Sequence, residues 1–153
     1  MKKIRIYTDG SAIGNPGPGG YGIILDWEGH IKELKGGFRK TTNNRMELLA
    51  VIIGLESLIN KPSFVTIFSD SKYVIDSIEK NWIFNWEKKN FKGKKNQDLW
   101  KRLLKVYRQH EVRLEWVKGH NNHPQNERCD FLALESAKGS YLDIDEFYEK
   151  NTK

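Results

Sequence analysis

The sequence predicts an α/β fold: a five-stranded mixed sheet, three antiparallel strands followed by parallel strands, with helices on its faces. Two observations carry this reading. Three segments with period-two alternation open the chain, separated by turn-like residues. Helical-period segments then interleave with two further strand-like runs, giving the order βββαβ–ααα–β–α, and a long helix between two strands makes a crossover that sets them parallel with a right-handed connection.

The elements follow in order. In Lys3–Asp9, Ile4, Ile6 and Thr8 point one way and Arg5, Tyr7 and Asp9 the other, so the segment reads as a strand. Gly10–Gly20 is rich in Gly, Pro, Asn and Ser and reads as a loop. Tyr21–Trp27 and Ile31–Arg39 are strand-like and joined by Glu28-Gly29-His30 as a hairpin turn. Asn44–Ile59 reads as a helix with Asn44 as N-cap, Glu47 three residues on and Pro62 beyond its end. Ser63–Ser69 is a β-branched and aromatic strand; Lys72–Lys80 and Ile83–Lys89 are short helices. Gln97–His110 is a helix whose buried stripe is Leu99, Trp100, Leu103, Leu104 and Tyr107. Val112–Lys118 alternates again, and Glu127–Lys138 is a helix stopped by Gly139. Residues 1–139 thus form one catalytic-sized domain, and the polar stretch 140–153 is expected to be a loosely held tail. No internal repeat or interdomain linker is evident.

At 153 residues the chain suits one domain, with 38% apolar and 30% charged residues. No apolar run reaches the ~20 residues of a membrane span, and no signal-like segment opens the chain, so no membrane association is expected. The single cysteine, Cys129, cannot form an internal disulfide, and a cytoplasmic, reducing setting is expected. The net charge of +6 is unevenly placed. Residues 80–102 hold eight Lys/Arg against Glu87 and Asp98, and the rest of the chain is neutral. Such a local excess points to a polyanionic partner.

Four carboxylates carry the candidate chemistry. Each has an ordinary explanation: Asp9-Gly10 is a turn pair, Glu47 suits a capping box with Asn44, and Asp70 suits an N-cap. Asp130 resists that treatment, because it shares a helix face with Ala133, Leu134 and Ala137, as Glu47 does with Ala50, Val51 and Gly54. An acid on an apolar face must be neutralised, paired or metal-bound. Asp9 and Asp70 end two parallel strands, where ligands of such sheets bind. Four clustered carboxylates repel unless cations intervene. Their hard oxygens suit Mg²⁺ or Mn²⁺, and two such ions about 3.5–4 Å apart can activate a water and stabilise the leaving oxygen in phosphodiester hydrolysis.

The motifs resemble those of one family. Tyr7-Thr8-Asp9-Gly10-Ser11 followed by Gly14-Asn15-Pro16-Gly17-Pro18-Gly19-Gly20-Tyr21-Gly22 is similar to the opening of the bacterial type-1 ribonucleases H. Thr41-Thr42-Asn43-Asn44-Arg45-Met46-Glu47-Leu48, Ser69-Asp70-Ser71 and Trp116-Val117-Lys118-Gly119-His120 with Asn126-Glu127-Arg128-Cys129-Asp130 match the later motifs in order. The resemblance spans roughly residues 3–138. It implies the ribonuclease H-like fold and endonucleolytic cleavage of the RNA strand of RNA–DNA hybrids, leaving 3′-hydroxyl and 5′-phosphate ends. It makes Asp9, Glu47, Asp70 and Asp130 ligands of two Mg²⁺, with Mn²⁺ as a substitute, and gives His120 a part in proton transfer or product departure.

The resemblance also implies substrate contacts. A hybrid-specific enzyme must sense 2′-hydroxyls, which both donate and accept, so Asn side chains suit them. Asn15, Asn43 and Asn44, with main chain from Gly10 and Ser11, take that role. Lys72 stands where bacterial members usually carry glutamine, and a lysine favours phosphate over base or sugar. Residues 80–102 correspond to the family's basic handle, where Lys88, Lys89, Lys92, Lys94 and Lys95 with Trp82 grip the DNA strand. Trp86 and Trp100 are assigned mainly to packing. Thr42 and Asn96 match a DNA phosphate pocket. The loop from Phe91 to Asn96 is shorter than in well-known relatives. One complete site predicts a monomer. The competing readings are a related-fold DNA nuclease or resolvase, and a catalytically silent duplex-binding module; the Asn-rich loops and handle oppose the first, and the four intact acids oppose the second.

Overall fold

The computed structural model describes residues 1–118 and 123–152. The chain runs β1 (Lys3–Ala12), β2 (Gly17–Trp27), β3 (His30–Thr41), α1 (Asn43–Glu56), β4 (Phe64–Ser69), α2 (Lys72–Glu79), α3 (Trp82–Lys88), α4 (Gln97–Tyr107), β5 (Glu111–Trp116), α5 (Pro124–Ala137) and α6 (Glu146–Asn151). The five strands form one sheet in the order β3-β2-β1-β4-β5. β1, β2 and β3 are antiparallel neighbours, and β4 and β5 add in parallel. The mixed sheet expected from the element order is therefore present.

Alternation along the strands sorts side chains onto two faces. Ile4 and Ile6 from β1, Ile23 from β2, and Val65 and Ile67 from β4 are buried with Leu48, Val51, Ile52 and Leu55 of α1. α4 lies against α1 and closes this core with Trp100 and Leu103. On the other face α5 crosses β2 and β1, where Cys129 packs with Tyr7 and Ile24. Each fully buried aliphatic side chain contributes roughly 1.5–3 kcal/mol, so the helix that faces the larger core is held firmly.

Several boundaries differ from the sequence reading. The expected loop at residues 10–20 is mostly strand: Ser11 pairs with Gly20 and Ala12 with Gly19, leaving a turn closed by Ile13 N–H donating to Pro18 O at 2.8 Å. Glycine is depleted in strands in general, but here helices approach the strands so closely that a side chain would not fit. α1 is capped by Thr42, whose Oγ1 accepts from Arg45 N–H at 3.2 Å, so Asn44 is not its N-cap and Glu47 is not in a capping box. Ser71, not Asp70, caps α2 through Val74 N–H. α5 begins at Pro124, with His123 Nδ1 accepting from Asn126 N–H at 3.2 Å. The segment expected to be loose is tied down. Asp143 exchanges backbone hydrogen bonds with β3 through Arg39 N–H and Gly37 O, Asp145 is buried, and α6 follows.

Candidate active site

The strands deliver two of the acids side by side. Tyr7 of β1 pairs with Phe68 of β4, and two residues on, the parallel register places Asp9 next to Asp70. Asp70 is fixed by its neighbours: Trp116 Nε1–H donates to its carbonyl at 3.2 Å, and Ser71 N–H donates to Ser69 Oγ at 3.0 Å.

Two glycines bring the helices in. A Cβ on Gly10 would stand 2.3 Å from Met46 C and 2.4 Å from Glu47 N, so only glycine lets the end of β1 touch α1 at Glu47. Gly22 is the cross-strand partner of Asp9, and a Cβ there would stand 2.3 Å from Cys129 O. The bare backbone at Gly22 lets α5 settle beside Asp9 and present Asp130.

Ligand oxygens of Asp9, Glu47 and Asp70 all lie within 4.8 Å of one another. Asp130 stands outside this trio, half-buried, yet close enough to push Asp9 upward. Burial, then the charges of Asp70 and Asp130, raise the Asp9 carboxyl to about 9. Burial, then Asp9 and Asp70, hold Glu47 well above the usual carboxylate range. Glu47 Oε1 and Asp70 Oδ1 are sealed from water and accept no hydrogen bond. A buried acceptor left without a donor costs roughly 1–3 kcal/mol, more when charged. A hard divalent cation satisfies such oxygens and reverses the repulsion that raises these acids, so the donor set fits Mg²⁺-type ions.

The expected substrate residues have these places in the fold. Asn15 Oδ1 accepts from Asn43 N–H at 3.0 Å, and Asn43 Oδ1 accepts from Ala12 N–H, so both carbonyl oxygens serve the turn; Asn44 is exposed beside them. Gly10 and Ser11 lie at the end of β1. Lys72 Nζ sits over the indole of Trp116, 4.2 Å from the ring centroid. His120 lies outside the described residues.

The handle is α3, a turn and the start of α4. Trp100 is buried and meets Trp86 edge-on at 5.2 Å, the packing role expected of both. Trp82 is 42% exposed. Lys94 Nζ lies 5.0 Å from the Trp86 ring, and Lys88, Lys89, Lys92 and Lys95 are exposed. Among the described residues none of these five lysines has a carboxylate within 4.0 Å.

A second feature escaped the sequence reading. Arg45, 3% exposed, donates from Nε and Nη2 to Asp145 at 2.7 and 3.0 Å, and from Nη1 and Nη2 to Asp98 at 2.8 and 2.7 Å. Asp145 also accepts from Thr41 Oγ1 at 2.7 Å. No local pattern could announce contacts spanning a hundred residues.

Comparison with known proteins gives a consistent result. The family model described as RNase H matches residues 1–138. A Ribonuclease H of Desulforamulus reducens is 52% identical over 150 residues, covering 95% of this chain and 94% of the relative. One from Lachnoclostridium phytofermentans is 53% identical over 158 residues, covering 96% and 99%. Among solved structures, LC9-RNase H1, a type 1 RNase H with the type 2 active-site motif, superposes with a TM-score of 0.83 at 28% identity, covering 100% of this chain and 82% of that one.

Proposed function

Because the chain belongs to the ribonuclease H family, endonucleases that hydrolyse the RNA strand of RNA–DNA hybrids, we propose that Asp9, Glu47, Asp70 and Asp130 are its metal ligands. The observation that carries this assignment is the pair of sealed, donorless oxygens, Glu47 Oε1 and Asp70 Oδ1, within the Asp9–Glu47–Asp70 group. Two Mg²⁺ bound there supply an activated water and charge stabilisation at the leaving 3′-oxygen. The chain's own groups do the rest. The β1–β4 register and the bare contacts at Gly10 and Gly22 bring together the elements that carry the acids. Asn15, Asn43 and Asn44 offer amide N–H groups to 2′-hydroxyls. His120 moves a proton or helps the product leave. The exposed lysines of the handle, with Trp82, Thr42 and Asn96, hold the DNA strand. Lys72, resting on Trp116, meets a phosphate rather than a base edge. The protein acts as a monomer in the cytoplasm.

A cleavage assay comparing labelled hybrid, double-stranded RNA and DNA duplex tests this, each with Mg²⁺, Mn²⁺ or chelator. Hybrid alone is cut, to 3′-hydroxyl and 5′-phosphate ends, and only with metal. Full hybrid cleavage in chelator, or by Asp9→Asn with Mg²⁺, overturns the metal-ligand assignment.

A further inference from the structure

The C-terminal segment lies beyond residue 138, where the family match ends, yet it supplies a buried side chain to a network that reaches the substrate face. Asp145 grips Arg45 through two hydrogen bonds. Arg45 in turn touches both residues of the proposed phosphate pocket: its backbone N–H is the donor that Thr42 Oγ1 accepts, and its Nη1 donates to Asn96 Oδ1 at 3.3 Å. Asn96 occupies the N-cap position of α4 in a left-handed conformation, φ 63°, yet makes no side-chain capping bond. Asparagine at that position ordinarily turns its oxygen onto the helix's own N–H groups. Here the side chain is committed to Arg45 on one end and, through Nδ2–H, to Tyr73 Oη at 2.9 Å on the other.

The same segment forms a wall. A cleft of about 650 Å³ opens between the handle turn, with Lys94, Lys95 and Asn96, and α6, with Phe147 and Tyr148. The Phe147 ring also faces the Arg45 guanidinium at 5.3 Å. Asp145 caps α6 by accepting from Tyr148 N–H at 3.3 Å, so one carboxylate fixes both the wall and the arginine.

We infer that the C-terminal segment is a strap that positions the DNA-phosphate contact, with Asp145 acting as a positioning residue through Arg45 on Asn96 and Thr42. Two carboxylates share one guanidinium, so removing the Asp145 charge leaves the Asp98 pair intact but frees one edge of Arg45 and releases the strap. The pocket then gives up its fixed orientation while keeping every group that touches nucleic acid. This inference rests on the assignment of Thr42 and Asn96 to phosphate binding.

Asp145→Asn, assayed where circular dichroism reports it folded, tests the strap. Its KM for hybrid rises about three- to tenfold, the order of one ordinary hydrogen bond, with kcat within about twofold of the parent. Hybrid binding in chelator, read by fluorescence anisotropy, weakens by the same factor. A set of hybrids with one neutral methylphosphonate at each DNA phosphate in turn identifies the contacted phosphate in the parent, and Asp145→Asn loses that sensitivity while Asp145→Glu regains part of it. Glu149→Gln, which breaks only the exposed Arg39–Glu149 pair of α6, leaves binding unchanged. If Asp145→Asn does not fold, Thr41→Val, which removes one donor to the same carboxylate, takes its place with a smaller effect in the same direction. Parent-like binding by the folded variant, or weakened binding that keeps the phosphate sensitivity, overturns the strap. If Thr42→Ala and Asn96→Ala also bind like the parent, the phosphate-pocket assignment itself has failed, and the strap with it.

Discussion

Asp9 ends a buried strand with Asp70 and Asp130 close by, and in that position its carboxyl holds a proton up to about pH 9. In the unfolded chain the same group ionises near 3.8. Between those values the native state binds more protons than the unfolded one, so stability falls as pH rises. It is fully present below the unfolded value and lost through the folded one. The melting temperature of the metal-free protein therefore declines from pH 5 to pH 9, and saturating Mg²⁺ flattens the decline, because the cation favours the ionised acids and its binding releases protons. A flat or rising profile in chelator contradicts this. Asp9→Asn removes the cost of taking up that proton on folding: the metal-free variant is more stable than the parent by roughly 1–4 kcal/mol near neutral pH. Its hydrolysis rate falls by about 10³ or more, the scale of losing several kcal/mol of charge stabilisation. Denaturant titration in chelator and a hybrid cleavage assay check the two halves separately.

At the scale of elements, the site exists because helices touch strands at bare backbone. Gly22→Ala forces a Cβ against Cys129 O at 2.3 Å and Leu132 Cβ at 2.8 Å, so α5 must shift. The expected cost is about 1–3 kcal/mol of stability from overpacking. Activity at temperatures where the variant is folded falls further, since Asp130 moves with the helix; chemical denaturation and initial rates measure the two. Retained activity with lowered stability would place Asp130 away from the reaction. These close approaches also mark what the sequence could and could not disclose. Alternation in β1, β4 and β5 and the helical stripes of α4 revealed the layers, because each element buries one face. Glu47 and Asp130 stood out for the same reason. Gly10, which brings α1 to the end of β1, read instead as loop, and Gly22 read as an ordinary strand residue, since composition reports average strand preference and not a helix lying 2–3 Å from where a side chain would be. The Arg45–Asp145 pair was invisible for a different reason: it joins α1 to a polar C-terminal stretch whose composition suggests nothing held in place.

For the whole molecule, charge is divided between an acidic cluster and a basic segment. The acids concentrate at the strand ends, and a cation-rich handle carries the net charge of the chain. Other basic residues serve structure: Arg45 pairs with Asp98 and Asp145, Arg102 with Glu56, Arg108 with Glu87 and Arg128 with Glu33. Lys88, Lys89, Lys92, Lys94 and Lys95 have no such partners among the described residues and can meet phosphates. Screening by salt acts on them and hardly on the buried acids. Replacing Lys88, Lys89, Lys92 and Lys95 together by glutamine therefore raises KM for hybrid at physiological salt and leaves kcat near the parent value. The slope of log affinity against log salt becomes shallower by about 0.9 for each phosphate that the variant no longer neutralises. A titration of KM from low to high salt measures that slope directly. The parent and variant lines converge at high salt, where the parent's advantage has been screened away. An unchanged slope would mean that the DNA strand is held elsewhere, and a lowered kcat at saturating hybrid would mean that the handle orients the RNA strand at the acids as well as gripping the DNA strand.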